Sequence, residues 1–577
     1  MRVLRLVVIL LLLPFSGLAQ KEVLILNEVV LDEAIVSGNA TRQDSFEKTA
    51  PTVNLDDLLE SSKGVSLIAR SARGNEITLY GVSSERLDIT VDGMRLAEAC
   101  TDKMDPVNGN INSFILKGID VNANSTGPST GNSGNVNLSL IRPQLSGPYQ
   151  KTRISQNFES ASLARSSNIS FEKGNGRKAH MAAAGYTQAD NYRMGNGEKL
   201  PFSQYNMAYA YWSGTECLKN KAQIDGRFLW NKGWDMGFPA LPMDVSKAEM
   251  VLAGLDYSQR DINSKWLQTK LKLYGSYVTH IMDDTKRPDV PMHMDMPGLS
   301  SSIGFVWQNK FLSFGKKVRA NFSVNRIFQY ADMTMYGNEN DEMFMLTWPG
   351  VENLGASLDF EWSLFKNEKS SSKLKTSLFS NRLKATDEMG RKQWTVFVDE
   401  SALTRLSIRP AIKWNLKRRF KNAWSLNSKV ELTTRNPGTS ELFGYYLYNR
   451  NDGYDYIGNP DLLNESRIHV SACLSKKIGM LRVEAIVHSN MYENYIQGIA
   501  IDNYLPMTPG SFGVRQFVNI DHAWISGFET NIKLLTTSGF KLEQSSQYLR
   551  GMLLSEQDNL PQIAPFTSRT SIFYRWN

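Results

Sequence analysis

Two short segments of the chain carry soft metal donors. Cys100-Thr101-Asp102-Lys103-Met104-Asp105-Pro106 sets a thiol and a thioether four positions apart. In one helical turn, residues i and i+4 share a face, so both sulfurs would approach one ion. His280-Ile281-Met282-Asp283 sets an imidazole and a thioether two apart, and in an extended strand such residues share a face. Thiolate and thioether favour Cu(I) over Mg, Ca or Mn. Together Cys100, Met104, His280 and Met282 would supply four ligands. A lone Cys is more often a small buried hydrophobe, so the reading rests on the two pairs rather than on any single residue.

Methionine adds a softer signal. Of the 22 in the chain, several cluster as Met292-His293-Met294-Asp295-Met296, Met333-Thr334-Met335 and Met343-Phe344-Met345. Such clusters suit Cu(I) capture, although Met also fills gaps in ordinary cores. His293 with Met292, Met294 or Met296 is the rival to His280. Cys217 and Cys473 have no comparable neighbours and receive no role. Catalytic arrangements are missing: the sequence holds no Gly-x-Ser-x-Gly elbow, P-loop or His-Glu-x-x-His, and it pairs no two carboxylates for acid/base work. An enzyme is not expected.

The elements that must hold these donors follow from the texture of the chain. Arg2 and Arg5, an apolar run from Leu6 to Phe15 and Gly17-Leu18-Ala19 form a secretory signal over residues 1–19. No later segment reaches the ~20 apolar residues of a transmembrane helix. If the mature chain crosses a membrane it must do so as a barrel, because lipid admits only helices and closed sheets. The net charge of +7 is not gathered into basic blocks, which argues against nucleic acid as a partner. Three cysteines leave at least one without an intramolecular partner in an exported chain.

From residue 20 to about 139 the sequence is polar and turn-rich, with short strand-like runs such as Glu76–Tyr80 and Leu87–Val91. Beyond about Pro148, period-two alternation takes over. Val318, Ala320, Phe322 and Val324 alternate with Arg319, Asn321, Ser323 and Asn325; Ile468, Val470, Ala472 and Leu474 alternate with Arg467, His469, Ser471 and Cys473; Phe528, Thr530 and Ile532 alternate with Glu529, Asn531 and Lys533. One face would meet lipid and the other a wet lumen, although a soluble antiparallel sandwich uses the same alternation. In the stretch 267–282, Leu267, Thr269, Leu271, Leu273 and Tyr277 take one face and Gln268, Lys270, Lys272 and Ser276 the other. Continuing the count puts His280 and Met282 inward, provided the strand is unbroken.

Several phrases, in order along the chain, resemble those of TonB-dependent receptors. Leu31-Asp32-Glu33-Ala34-Ile35-Val36-Ser37-Gly38 resembles the TonB box. Asp57-Leu58-Leu59-Glu60 with Gly64-Val65-Ser66, Val91-Asp92-Gly93-Met94-Arg95-Leu96 and the Gly-rich segments 127–129 and 131–138 resemble the plug. Asn436-Pro437-Gly438-Thr439-Ser440-Glu441-Leu442-Phe443, Gly458-Asn459-Pro460-Asp461-Leu462 with Glu465, Gly527-Phe528-Glu529 and Leu560-Pro561 resemble barrel phrases. Leu79-Tyr80-Gly81 departs from the pattern, which usually has Arg before the Gly. The paired Cys-x-x-x-Met-Asp-Pro and His-x-Met-Asp segments are similar to those of the family's copper receptors. That resemblance implies copper held between plug and barrel by Cys100, Met104, His280 and Met282.

The resulting expectation is an all-β antiparallel transmembrane barrel with an N-terminal mixed α/β plug in its lumen. Residues 1–19 would be the signal, 20–48 an arm carrying the TonB box, 49–145 the plug and 146–577 the barrel. Asp32, Glu33, Ala34, Ile35 and Val36 would add a strand to the periplasmic energy-coupling protein TonB. The chain would sit in the lipid of a Gram-negative outer membrane and import copper as its transported ligand. A siderophore or other chelated nutrient as cargo, and a non-transporting surface adhesin or sensor, are the alternatives. The chain stops at Asn577, soon after Pro561 and Pro565, where the family has several more strands, so the barrel is expected to be truncated at its C-terminus.

Overall fold

The computed structural model describes residues 55–574, apart from 71–73, 123–132, 240, 288, 291, 338–341 and 537–538. The signal, the arm with Asp32 to Val36 and residues 127–132 of the Gly-rich plug segment therefore lie outside the described residues.

Alternating sequence forms a wall of long antiparallel strands. It begins with Pro148–Glu159 and continues through long strands of up to 25 residues, each paired antiparallel with the next long strand, as far as Thr567–Tyr574; a short hairpin, Leu447–Asn449 with Tyr454–Ile457, interrupts the sequence order between Trp424–Arg435 and Glu465–Ile478. The strand order then passes to Pro148–Glu159 and returns through Ala164–Asn175 and Lys178–Ala189 to Tyr205–Cys217, rolling the sheet into a barrel. Period two sorts its faces: Ile468, Val470 and Leu474 are 51%, 48% and 41% exposed, whereas the alternating Arg467 and His469 are buried. The apolar outer face is what lipid requires, and the polar inner face is covered by protein. A strand of Glu342–Lys366 is more than twice the ~9–11 residues that cross a bilayer, so the wall extends well beyond the hydrocarbon layer.

The plug fills the lumen. Its four-stranded sheet has the order Met94–Arg95, Leu87–Val91, Gly134–Leu140, Leu116–Asn122, and the strands Val65–Ile68 and Glu76–Leu79 form a separate hairpin. The pairing of Leu87–Val91 with Gly134–Leu140 is parallel. Leu59, Ile77, Val136 and Leu138 are wholly buried, and they pack in one core with Tyr209, Leu252, Tyr492 and Ile525 of the wall.

A buried ion network ties the two parts. Arg86 of the plug donates from Nη2 to Glu465 Oε2 (2.7 Å) and to the Ile496 carbonyl (2.9 Å), with its guanidinium over the Tyr495 ring at 4.0 Å. Arg435 of the wall meets the same carboxylate (Nε to Oε1, 3.1 Å) and grips Glu441 with two bonds of 2.7 and 2.8 Å. Removing one member leaves a buried charge uncompensated, at about 3–5 kcal/mol. Arg86→Ala is therefore expected to lower the denaturant midpoint of the detergent-solubilised protein and to open the plug to protease, while Arg569→Ala, at a half-exposed pair with Glu60, leaves both unchanged.

Candidate metal centre

His280 and Met282 lie on the strand Trp266–Asp283, which runs unbroken. Even-numbered residues face inward along its second half: Ser276, Val278, His280 and Met282 are buried, with His280 at 2% and Met282 at 1% exposure. The next strand, His293–Ser313, places Gly298 directly opposite His280 and Met296 opposite Met282. Residues directly opposite across an antiparallel pair hold their Cβ atoms ~4.5–5.5 Å apart on one face.

From the plug side, the chain that follows Met94–Arg95 climbs this wall. Ser302 Oγ donates to the Arg95 carbonyl (2.7 Å), Ser300 Oγ to that of Ala97 (2.5 Å) and Gln329 Nε2 to that of Glu98 (3.1 Å). Lys272 Nζ donates to the Asp92 carbonyl (2.6 Å). These bonds deliver Cys100 to a small cavity that it lines together with His280, Met282, Met296 and Gly298. Met104 borders a neighbouring cavity instead, with Arg70, Asp102 and Tyr448, and packs in the same buried cluster as Cys100 and Met282.

The Cys100 to Met104 segment is a turn, not the helical turn expected from its spacing. Asp105 accepts from the Ala99 N–H at Oδ2 (2.9 Å) and from the Cys100 N–H at Oδ1 (3.0 Å), and Lys103 has φ of 57°. A short acidic side chain that takes backbone donors competes with the helix ladder, and Pro106 disfavours the α conformation at Asp105. The donors around the thiol also differ from the sequence reading: Met296, read there as part of a separate methionine cluster, borders the Cys100 cavity. Only strand register reveals that position.

Burial pushes the Cys100 thiol well above its usual range, and Asp102 and Asp105 add to the shift; the backbone N–H groups of Met104 and Asp102 oppose it. A soft metal ion bound here would supply the positive charge that a buried thiolate lacks. Among the described residues, no three His, Cys, Asp or Glu side chains converge as a metal cluster. The cavity therefore offers a mixed set of one thiol, one imidazole and thioethers, which is soft-donor chemistry.

Further methionines extend from this point along the inner wall. Met294 stands opposite Met335 and Met333 opposite Met345. Between the pairs Met294 with Met335 and Gly298 with Ala331, the register sets Met296 opposite Met333. Met282, Met294, Met333, Met335 and Met345 are all buried. His293 faces elsewhere: its ring is largely exposed and its Nδ1 lies 3.0 Å from Asp284 Oδ1.

Residues 31–136 match the family model of the TonB-dependent receptor plug domain. No curated protein matches the chain by sequence. Among solved structures, the copper transporter OprC matches with a TM-score of 0.78 at 17% identity, over 91% of this chain and 83% of that one. The hemophore receptor HasR of Serratia marcescens, solved with its hemophore HasA and heme, gives 0.67 at 14% identity, over 90% and 84%. The ferric enterobactin receptor PfeA of Pseudomonas aeruginosa gives 0.65 at 12%, over 91% and 82%. At such identities the likeness is one of fold. A plug domain of this kind seated in such a barrel is the architecture of TonB-dependent receptors, which are outer-membrane proteins of Gram-negative bacteria. Residues 31–136 are thus a TonB-dependent receptor plug domain by sequence, and the whole chain shares the fold of the solved receptors of that kind.

The turn that carries Cys100 is anchored by charge as well. Lys103 Nζ meets Glu76 Oε1 at 3.1 Å and also pairs with Glu85, while Arg70 Nε donates to Glu76 Oε2 at 2.9 Å. Burial would raise the Glu76 carboxyl, but Lys103, Arg70 and the Ser84 hydroxyl outweigh it and hold the group at about 2, against an ordinary 4.5. A depressed carboxylate contributes stability above its unfolded pKa and loses it as pH falls toward the folded value. The difference in hydrogen exchange of the 96–106 segment between the wild type and Glu76→Gln is thus expected to hold steady above about pH 4.5 and to vanish between about 4.5 and about 2. Glu76→Gln should raise exchange at neutral pH and flatten the acid response.

Proposed function

We propose that this receptor imports copper, held between plug and wall by Cys100, His280 and Met282, with the Met282 neighbour Met296 completing the set and Met104 close by. The observation that carries the reading is that a plug thiol and two inward donors of one wall strand border the same cavity. The thiol, imidazole and thioethers are donors suited to Cu(I) and poorly suited to hard ions. A siderophore or heme would need a far larger chamber than this enclosed gap among buried side chains. The inner-wall methionines form a thioether path by which Cu(I) reaches the gap. TonB engages Asp32, Glu33, Ala34, Ile35 and Val36, pulls the plug, and parts Cys100 from His280 and Met282, so that the ion is released to the periplasm.

Copper content of the purified protein tests the assignment. Cys100→Ser, His280→Ala and Met282→Leu should each lower retained copper on the order of tenfold or more; wild-type copper in all three would reject it. Met296→Leu is expected to reduce retention more than Met104→Leu, because Met296 borders the thiol's cavity and Met104 the adjoining one. Met333→Leu with Met345→Leu should slow copper uptake by cells at low external copper while leaving the copper content of saturated protein unchanged. Deleting residues 32–36 should abolish uptake without emptying the site.

A further inference from the structure

The plug chain and the wall strand run against each other in a fixed register. Ser302 meets the carbonyl of Arg95 and Ser300 that of Ala97. Each step of two along the plug is matched by a step of two down the strand, so the third rung pairs Ala99 with Gly298. There the pattern changes. A Cβ placed on Gly298 would lie 2.0 Å from the Ala99 carbonyl oxygen and 3.2 Å from its carbon. The obstructing atoms are backbone, and real Cβ contacts essentially never fall below 3.0 Å. Gly298 does not have the positive φ of a turn glycine; its strand is regular, and its neighbours across the sheet are His280 and Ala331. Its lack of a side chain is required by the close approach of the plug backbone.

We infer that Gly298 is a positioning residue for cargo binding: it sets how closely the plug presents Cys100 to His280 and Met282. The inference rests on the copper reading for its consequence, but not for its geometry. Cys100 follows Ala99 directly, and His280 shares its wall position with Gly298, so a shift of Ala99 away from the wall moves the thiol away from the imidazole. Ala99 and Cys100 cannot swing independently of each other, because Asp105 holds both of their N–H groups. Any side chain at 298 must therefore displace the whole Cys100 turn. Sites of this kind tolerate ~0.5 Å of error, and the missing clearance is larger than that.

Gly298→Ala is expected to lower retained copper on the order of tenfold or more and to raise hydrogen exchange in residues 96–106. X-ray absorption of the remaining copper should show fewer sulfur neighbours, which general loosening of the barrel would not produce selectively. Gly275→Ala is the control: it lies on the neighbouring strand, and its Cβ would meet only the Ser302 carbonyl oxygen at an ordinary 3.6 Å. It should change neither readout. Should Gly298→Ala fail to fold, the double variant Ser300→Ala, Ser302→Ala removes two anchors without adding volume, and it should raise exchange in the same segment and weaken copper retention. Unchanged exchange in 96–106 in both the Gly298 and the double-serine proteins would overturn the positioning role. Raised exchange in a protein whose wild type retains no copper would uphold the geometry and reject copper as the cargo.

Discussion

Backbone carbonyls of the plug, met one by one by side chains of the wall, are what the rest of this structure depends on. Met94–Arg95 is an edge strand, paired on one side only, and Leu96 to Glu98 lie beyond it with no strand partner among the described residues, while buried carbonyls left unmet are costly. Lys272, Ser302, Ser300 and Gln329 meet them. The same bonds fix where the next residues fall, so the place of Cys100 follows from backbone hydrogen bonding before any metal chemistry is considered. Further round the lumen, the Arg86, Glu465, Arg435 and Glu441 network seats the plug by charge. Gln329 joins the two regions, since its Oε1 also accepts from Thr439 Oγ1 at 2.6 Å, at the start of the helix that bears Glu441.

Much of the wall was legible in the sequence because one physical rule governs it. Lipid outside and protein inside impose period two, and a strand without a bulge preserves phase. The alternation from Leu267 onward therefore carried correctly to His280 and Met282, a dozen residues away. The face of Ile468, Val470 and Leu474 followed in the same way. Short plug strands such as Glu76–Leu79 and Leu87–Val91 stood out through their β-branched residues between turn signals.

The conformation around Cys100 was not legible from spacing. An i to i+4 separation carries meaning only within a helix, and Asp105 with Pro106 diverts this segment into a turn. Nor could the position of Met296 be read, because register between strands is set jointly by the turn and both partners, and neither strand alone encodes it. The Arg86 to Glu465 pair spans 379 positions, and no local pattern announces it. The residues that carry chemistry were thus recognisable by type, whereas their neighbours across the sheet required the fold.

The rungs that fasten the plug to the wall have a mechanical order. Tension arriving along the chain from its amino-terminal side would load the Asp92 rung first, then Arg95, Ala97 and Glu98, and would come to Cys100 only after those had given way. Bonds broken in succession need far less force than the same bonds sheared together, as in opening a zip from its end. The thiol at the top of the row is therefore the last grip to let go, and disengagement of the segment and departure of whatever that thiol holds become a single event.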